Sequence, residues 1–318
     1  MNARTLGIGA ALTATLLWGT QFPVLAAVLP DLDPFWLTLL RYLIAFIVLA
    51  VIVAVREGRA GFSLAGRGWT VAVLGVFGFS IFNVLLLLGL RISGPQHGAL
   101  IMATLPLLTV LIGWIRGGAM PSLRTFGFIA LAFGGVALVV TKGDPASVLA
   151  GGDWIGDLMM LVGASLWATY TSFVPSFSSW SPVRYTMAGA FFGTCSTIVL
   201  TVGAMLLGYS HAPTAPGFVH ALPGLLFLAL FGAVVALIAW NIGIAKLGSS
   251  AAVLFMNVVP ITAFAIAIVF GARYPLVEYI GAAITIVALV LNNVLGQAPR
   301  STAVEGDRPG LEHQSRVA

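Results

Sequence analysis

A helix needs roughly 20 largely apolar residues to cross a bilayer, and apolar stretches of about that length follow one another almost from end to end of this chain. Ten can be counted, over about 8–28, 34–55, 69–90, 97–115, 124–141, 154–174, 183–207, 219–241, 248–270 and 276–295. The breaks carry turn and charge signals: Pro30, Asp31, Asp33 and Pro34 in the first, Arg56 to Arg59 in the second, Lys142 to Pro145 in the middle, and Pro213 and Pro216 later. The runs are long, continuous and rich in Leu and Ala, whereas membrane strands would alternate over about ten residues. The chain is 59% hydrophobic and only 8% charged, against about 25% charged in soluble domains. The expected fold is an all-α integral membrane protein of ten transmembrane helices.

Charge gives direction and excludes some partners. The formal charge of +5 is spread thinly between apolar segments, so it fits membrane topology better than nucleic acid. With the amino terminus in the cytoplasm, that side holds Arg4, Arg56, Arg59, Arg67, Arg116, Arg124, Arg184, Lys246 and the arginines after position 297. The opposite side holds Arg91, Lys142 and Arg273, with Asp31, Asp33, Asp144 and Asp153. The positive-inside rule then places both termini in the cytoplasm. The first span is read as retained rather than cleaved, because Trp18, Gln21 and Pro23 interrupt it. A polar tail over 297–318 is expected to be disordered and cytoplasmic. Cys195 is the only cysteine, so no intrachain disulfide or cysteine-based metal site can form, and a packing role is expected for it.

The second half repeats the first. LWGTQFP at 17–23 has a counterpart in LWATYTS at 166–172, and ALIMATLPLLT at 99–109 has one in VLFMNVVPITA at 253–263. Each half, 1–148 and 149–296, holds five expected spans. An odd number per repeat forces the copies into opposite orientations. Inverted repeats give a route to alternating access, with the cargo site between the halves near the membrane midplane.

On these residues the chain resembles the drug/metabolite transporter superfamily, and within it the ten-helix EamA-type permeases. LWGTQFP resembles the family's opening signature. Pro34 followed by Arg41 and Tyr42 resembles the start of its second helix, and Gly94 to Pro106 its fourth, with Pro260 at the matching place in the ninth. The resemblance covers about residues 5–295. It implies a secondary transporter in a bacterial inner membrane. Export of amino acids or other small metabolites is common in such proteins, and the aromatic amino acid exporters are a neighbouring group. The halves differ at one place: Pro182 matches Pro34, but Gly189 stands where Arg41 would.

Arg41 is the strongest candidate for cargo recognition. A charge within a span costs several kcal/mol unless it finds a partner or snorkels, so it either anchors near the outer side or meets a carboxylate. Trp18, Thr20, Gln21 and Pro23 interrupt the first helix, and Trp167 and Tyr170 occupy comparable places in the sixth. Both sets are expected at a shared cavity, with membrane-interface anchoring as the competing reading of the rings. Asn83 and Asn241 hold polar cargo or brace neighbouring helices. Trp240 offers an aromatic wall, Met102 and Met256 an adaptable apolar one, and Asn257 an amide that needs partners. Pro106 and Pro260 read as paired kinks.

His97 is a possible coupling residue, but its place near a helix end predicts ordinary contact with water. Asp157 and Glu278, the only acids inside the spans, are expected to be exposed at outer ends. Gly189 and Gly193 permit close helix contact, within the chain or between two copies. A monomer is expected, with a homodimer left open.

Other classes fit less well. An intramembrane enzyme should show a nucleophile and base or clustered ligands, and His97, His211, His220 and His313 are scattered, without an HExxH motif. No Walker A loop supports an ATP-driven pump. The expected activity is therefore not enzymatic and needs no cofactor. The expected partners are membrane lipid and a small amphipathic metabolite, an amino acid above all. The alternatives are export or import of another small metabolite or drug-like compound, a channel, and, less favoured, an intramembrane lipid-handling enzyme.

Overall fold

The computed structural model describes residues 2–117, 120, 122–140, 143–144, 153–247, 252, 255–256, 258–271 and 273–295. Asn257 and the tail over 297–318 lie outside them. Helix dominates, and there is no strand among the described residues. The helices are α1 (Ala3–Val28), α2 (Pro34–Glu57), α3 (Gly68–Ser93), α4 (Pro95–Ala103), α5 (Leu105–Ile115), α6 (Leu123–Val140), α7 (Asp153–Ser172), α8 (Pro182–Leu206), α9 (Ala215–Leu247), α10 (Val258–Val269) and α11 (Leu276–Leu295). Six of them, α1, α2, α3, α7, α8 and α9, are long and apolar enough to cross a membrane, and shorter apolar stretches lie in α6, α10 and α11. Large apolar side chains stand exposed around the bundle, among them Val51, Val55, Val199 and Leu206, a surface suited to lipid rather than water.

Local chemistry sets the helix starts. The Asp33 carboxylate accepts from the Phe35 and Trp36 amides at 2.9 and 3.0 Å, with Pro34 at the first helical position. Ser181 and Pro182 start α8 in the same way. Such caps satisfy amides that have no partner within the helix.

The fourth expected span is divided into α4 and α5 at Thr104. Pro106 has no N–H to give the preceding turn, and the Thr104 hydroxyl turns back to the Ile101 carbonyl at 2.7 Å. Pro260 likewise falls in the first turn of α10, just after Met256.

The packing maps onto itself when the halves are exchanged. α1 lies along the Ala236–Leu247 part of α9 and along α10; α7 lies along the Phe82–Ser93 part of α3 and along α4 and α5. α2 packs on α8, and α6 on α11. α3 and α8 also approach closely, through small residues. A Cβ on Gly75 would stand 2.5 Å from the Gly189 carbonyl oxygen, and one on Gly193 would stand 2.4 Å from the Phe79 Cβ. Gly189 and Gly193 are therefore used inside the chain, between α8 and α3.

Both α3 and α9 carry a wide π-type turn, over Val76–Ile81 and Phe227–Val235. Such turns often mark functional places in helices. Here the widened turns offer backbone carbonyls to side chains: Gly78 and Phe79 accept from the Asn83 amide, and Gly232 accepts from the Trp18 indole.

Candidate functional site

A cavity lies in the middle of the bundle, bounded by α1, α2, α3, α4, α7, α9, α10 and the turn holding Met256. Trp18, Gln21, Arg41, Asn83, Met102, Trp167 and Met256 all line it. Its volume is about 60 Å³, room for a few waters and not for a whole metabolite. A second space of about 790 Å³ opens between α1, α9 and α10, at the end of the bundle where α1 finishes. That end is called the far end below, and the end where α1 begins the near end. Phe22 borders both spaces.

Arg41 is buried, at 5% exposure. It donates to the Gln21 side-chain oxygen, and its guanidinium carbon lies 5.2 Å from the Tyr42 ring centre. Its Nε has no hydrogen-bond partner among the described residues. No carboxylate among the described residues forms an ion pair with it. A buried guanidinium with spare donor capacity costs free energy unless something occupies that donor.

Around this group stands a set of rings. Trp18 meets Trp167 edge-on with centres 6.1 Å apart and lies 5.3 Å from Trp240, while Phe82 lies 5.3 Å from Trp167. The Trp18 indole is fixed by the Gly232 carbonyl at 3.1 Å. The cavity wall is thus aromatic and mostly apolar, with one cation in it.

The two asparagines brace helices. Asn83 accepts from the Tyr42 hydroxyl at 3.1 Å while its amide caps carbonyls in its own helix. Asn241 donates to the Thr186 hydroxyl at 2.9 Å. Each joins the third element of its half to the second. Asn83 also lines the cavity, and Asn241 does not.

The other expected residues fall behind or outside the cavity. Tyr170 is buried and stacked on Tyr185, with ring centres 5.1 Å apart. Trp240 is buried behind Trp18. Thr20 returns its hydroxyl to the Leu16 carbonyl at 2.9 Å and is absent from the lining. Tyr42, Phe82, Leu237 and Val259 line the cavity and were not singled out as cargo residues. Only one signal could have found Phe82: it precedes Asn83 as Trp240 precedes Asn241.

Three expectations about exposure are overturned. His97 is 2% exposed and lies 2.9 Å from Asp157, itself 7% exposed; Glu278 is 4% exposed. All three sit close to helix ends, but on the faces turned to neighbouring helices. Small residues close those faces: a Cβ on Gly156 would be 2.9 Å from the Gly89 carbonyl oxygen. Cys195, expected to pack, is exposed.

The ends of the bundle differ. At the near end, Arg116 donates to the Ser172 carbonyl and hydroxyl at 3.1 and 2.9 Å and covers the Phe173 ring at 3.6 Å. Arg67 holds the Ser176 carbonyl, Arg184 the Ser63 carbonyl, and Ser181 the Glu57 carboxylate. Each of these bonds joins one half to the other. At the far end, Asp33 accepts from Ser210 at 2.7 Å and Asp31 pairs with His220 at 2.6 Å, bonds that also join the halves, beside the wide opening.

Comparison with known proteins agrees with the duplicated architecture. The description of the EamA-like transporter family matches residues 5–141 and again 154–294. YrdR of Bacillus subtilis, an uncharacterized transporter, is 33% identical over 300 residues, spanning 92% of this chain and 94% of its own. YyaM of the same organism, also an uncharacterized transporter, is 30% identical over 271 residues, 83% of this chain and 86% of its own. A probable terminal-alkyne amino-acid exporter of Streptantibioticus cattleyicolor is 23% identical over 291 residues, 90% of this chain and 93% of its own. One solved crystal structure superposes with a TM-score of 0.62 at 22% identity, over 92% of this chain and 99% of that one, and shows a shared fold. With the family match recurring in each half and covering most of the chain, this protein belongs to the EamA-like transporter family.

Proposed function

We propose that the chain is a secondary exporter of small amphipathic metabolites, amino acids with apolar or aromatic side chains among them. The observation that carries this reading is the buried Arg41 guanidinium, short of partners, at the edge of an aromatic cavity. A carboxylate satisfies the free guanidinium donor, and Trp18, Trp167 and Phe82 take the apolar side chain. Met102 and Met256 give a wall that adapts to different shapes. The relative described as a probable amino-acid exporter supports the substrate class.

The same reading takes the ten expected spans as ten crossings and the two halves as inverted repeats. Packing that is preserved on exchange of the halves supports this. The arginine-rich near end then faces the cytoplasm of a bacterial inner membrane, by the positive-inside rule. The wide far end and the tied near end correspond to an outward-facing state with a contracted cargo site. Alternating access then consists of loosening the near-end bonds while α1, α9 and α10 close the far opening.

Counterflow in proteoliposomes tests the proposal. Vesicles holding the purified chain are preloaded with unlabelled phenylalanine, methionine or threonine, and entry of the labelled amino acid is followed. Transient accumulation that saturates, and that excess unlabelled amino acid outside suppresses, is the expected result. No exchange for any amino acid, with folded protein in the membrane, would sink the amino acid reading.

A further inference from the structure

The geometry points to His97 and Asp157 as an exchangeable proton site that couples transport to a proton gradient, a step that rests on the carrier reading above. His97 lies in the first turn of α4 and Asp157 in the second turn of α7. Their Nδ1 and Oδ1 atoms are 2.9 Å apart, and the side chains are 2% and 8% exposed. The second carboxylate oxygen of Asp157 has no partner among the described residues. Gly98, beside His97, faces apolar side chains, since a Cβ there would touch Leu90, Phe22 and Met160, while the Ser93 side chain lies against Gly156, beside Asp157. Phe22 also borders the central cavity and the far opening, so Gly98, next to His97 in α4, lies one side chain from both.

The pair breaks the two-fold pattern of the chain. In the register of the two repeated motifs, Ile8 stands in the place of Asp157 and Ala251 in the place of His97. A contact needed only to hold such a helix crossing would be expected in both halves.

Charge arithmetic then links protonation to opening. With one proton the pair is imidazolium and carboxylate, neutral as a whole, and it stays buried. Without that proton it is imidazole and carboxylate, with one net negative charge. A net charge in this setting costs several kcal/mol unless water reaches it. Loss of the proton therefore favours a state in which the pair is wetted, and regain favours closure. One proton enters from one side and leaves to the other while cargo moves, with no bond broken except to that proton.

The helices packed on α4 and α7 carry few other charges at this end. α3 supplies the exposed Arg91, α11 supplies the buried Glu278, and α1, α5, α6 and α10 supply none there among the described residues.

Two measurements separate this site from the carrier reading. The first needs no substrate. Thermal stability of the purified chain in detergent is followed from about pH 5.5 to 8.5, the range in which histidines change charge. Wild-type stability changes with pH across this range as the pair gains or gives up its proton; His97→Gln and Asp157→Asn lack the pair, so their curves are flatter. Identical pH dependence in all three proteins would overturn the site. If a single variant does not fold, the double variant His97→Leu with Asp157→Leu, which removes both charges together, replaces it.

The second measurement uses proteoliposomes with phenylalanine, methionine and threonine as probes. Asp157→Asn should keep counterflow but lose accumulation driven by a proton gradient by about tenfold or more. Gradient-driven accumulation equal to wild type would overturn the coupling. Failure of wild-type counterflow would sink the amino acid reading alone, and the thermal curves would still decide whether the pair binds an exchangeable proton.

Discussion

Arg41 shows how one residue can announce a site while hiding its neighbours. A cation in the middle of an apolar run stands out in any sequence, but Tyr42 and Phe82, which share the cavity with it, are aromatic residues in apolar helices and carry no such mark. Its bond to Gln21 joins α1 to α2. Gln21→Leu should strip the guanidinium of that acceptor and cost about 1–3 kcal/mol, seen as a lower melting temperature. Arg41→Met in the Gln21→Leu background removes the stranded charge and should recover most of the loss. A double variant no more stable than Gln21→Leu would show that the bond does not hold the helices. Recognition has its own test. Phenylalanine should compete with labelled cargo about 10- to 100-fold better than phenethylamine, which lacks the carboxylate. Arg41→Met should erase that preference, and a preference left intact would remove Arg41 from cargo binding. Asp157 and Glu278 teach the opposite lesson. Position along a helix gives depth in the membrane, and both residues do lie near helix ends. Burial depends on which face meets a neighbour, and for Asp157 that is the face where Gly156 of its own helix meets Gly89 of α3.

At the scale of the helices, length and punctuation were legible, because apolar runs and caps such as Asp33 and Ser181 act locally. Helix occupies the described parts of the expected stretches, six of them long and apolar enough to cross a membrane, with the fourth divided at Thr104. The division at Thr104 and the π-type turns were not foreseen. A proline announces a disturbed turn but not whether the helix bends or stops, and a π-type turn needs no particular residue. Its value shows only when Trp18, 214 residues away in sequence, reaches the Gly232 carbonyl. Close approach of α3 and α8 gives a sharper prediction. Both Gly193 and Gly203 lie in α8, but a Cβ on Gly193 would meet Phe79 backbone and Cβ atoms, whereas one on Gly203 meets nothing within 4 Å. Gly193→Ala should destabilise by about 1–3 kcal/mol through overpacking, while Gly203→Ala should be neutral or slightly stabilising, since alanine favours helix. Thermal melts of the two variants in the same detergent decide the matter, and equal melting temperatures would contradict the packing described.

Over the whole molecule, two similar halves make opening at either end a matter of small energy differences. A few bonds at one end can then choose the state. The near end carries four links between the halves, three of them from the arginines Arg67, Arg116 and Arg184. The positive-inside rule reads such arginines only as markers of topology, so the sequence could not show that they also act as fasteners onto backbone carbonyls. The bonds lie near the surface, where each contributes about 0.5–1 kcal/mol. Removing two, in Arg116→Ala with Arg184→Ala, should therefore shift the balance by about 1–2 kcal/mol, or roughly 5- to 30-fold in population, toward a state open at the near end. Spin labels at Arg59 and Ser178, in a Cys195→Ser background so that no native thiol is labelled, would report the separation across that end. The expected outcome is a longer-distance population that grows in the double variant and shrinks when transported cargo traps the closed form. An unchanged distance distribution would mean that apolar packing, and not the arginine bonds, keeps the near end shut. The far-end opening between α1, α9 and α10 would then be a fixed feature of the bundle and not one half of an alternating pair.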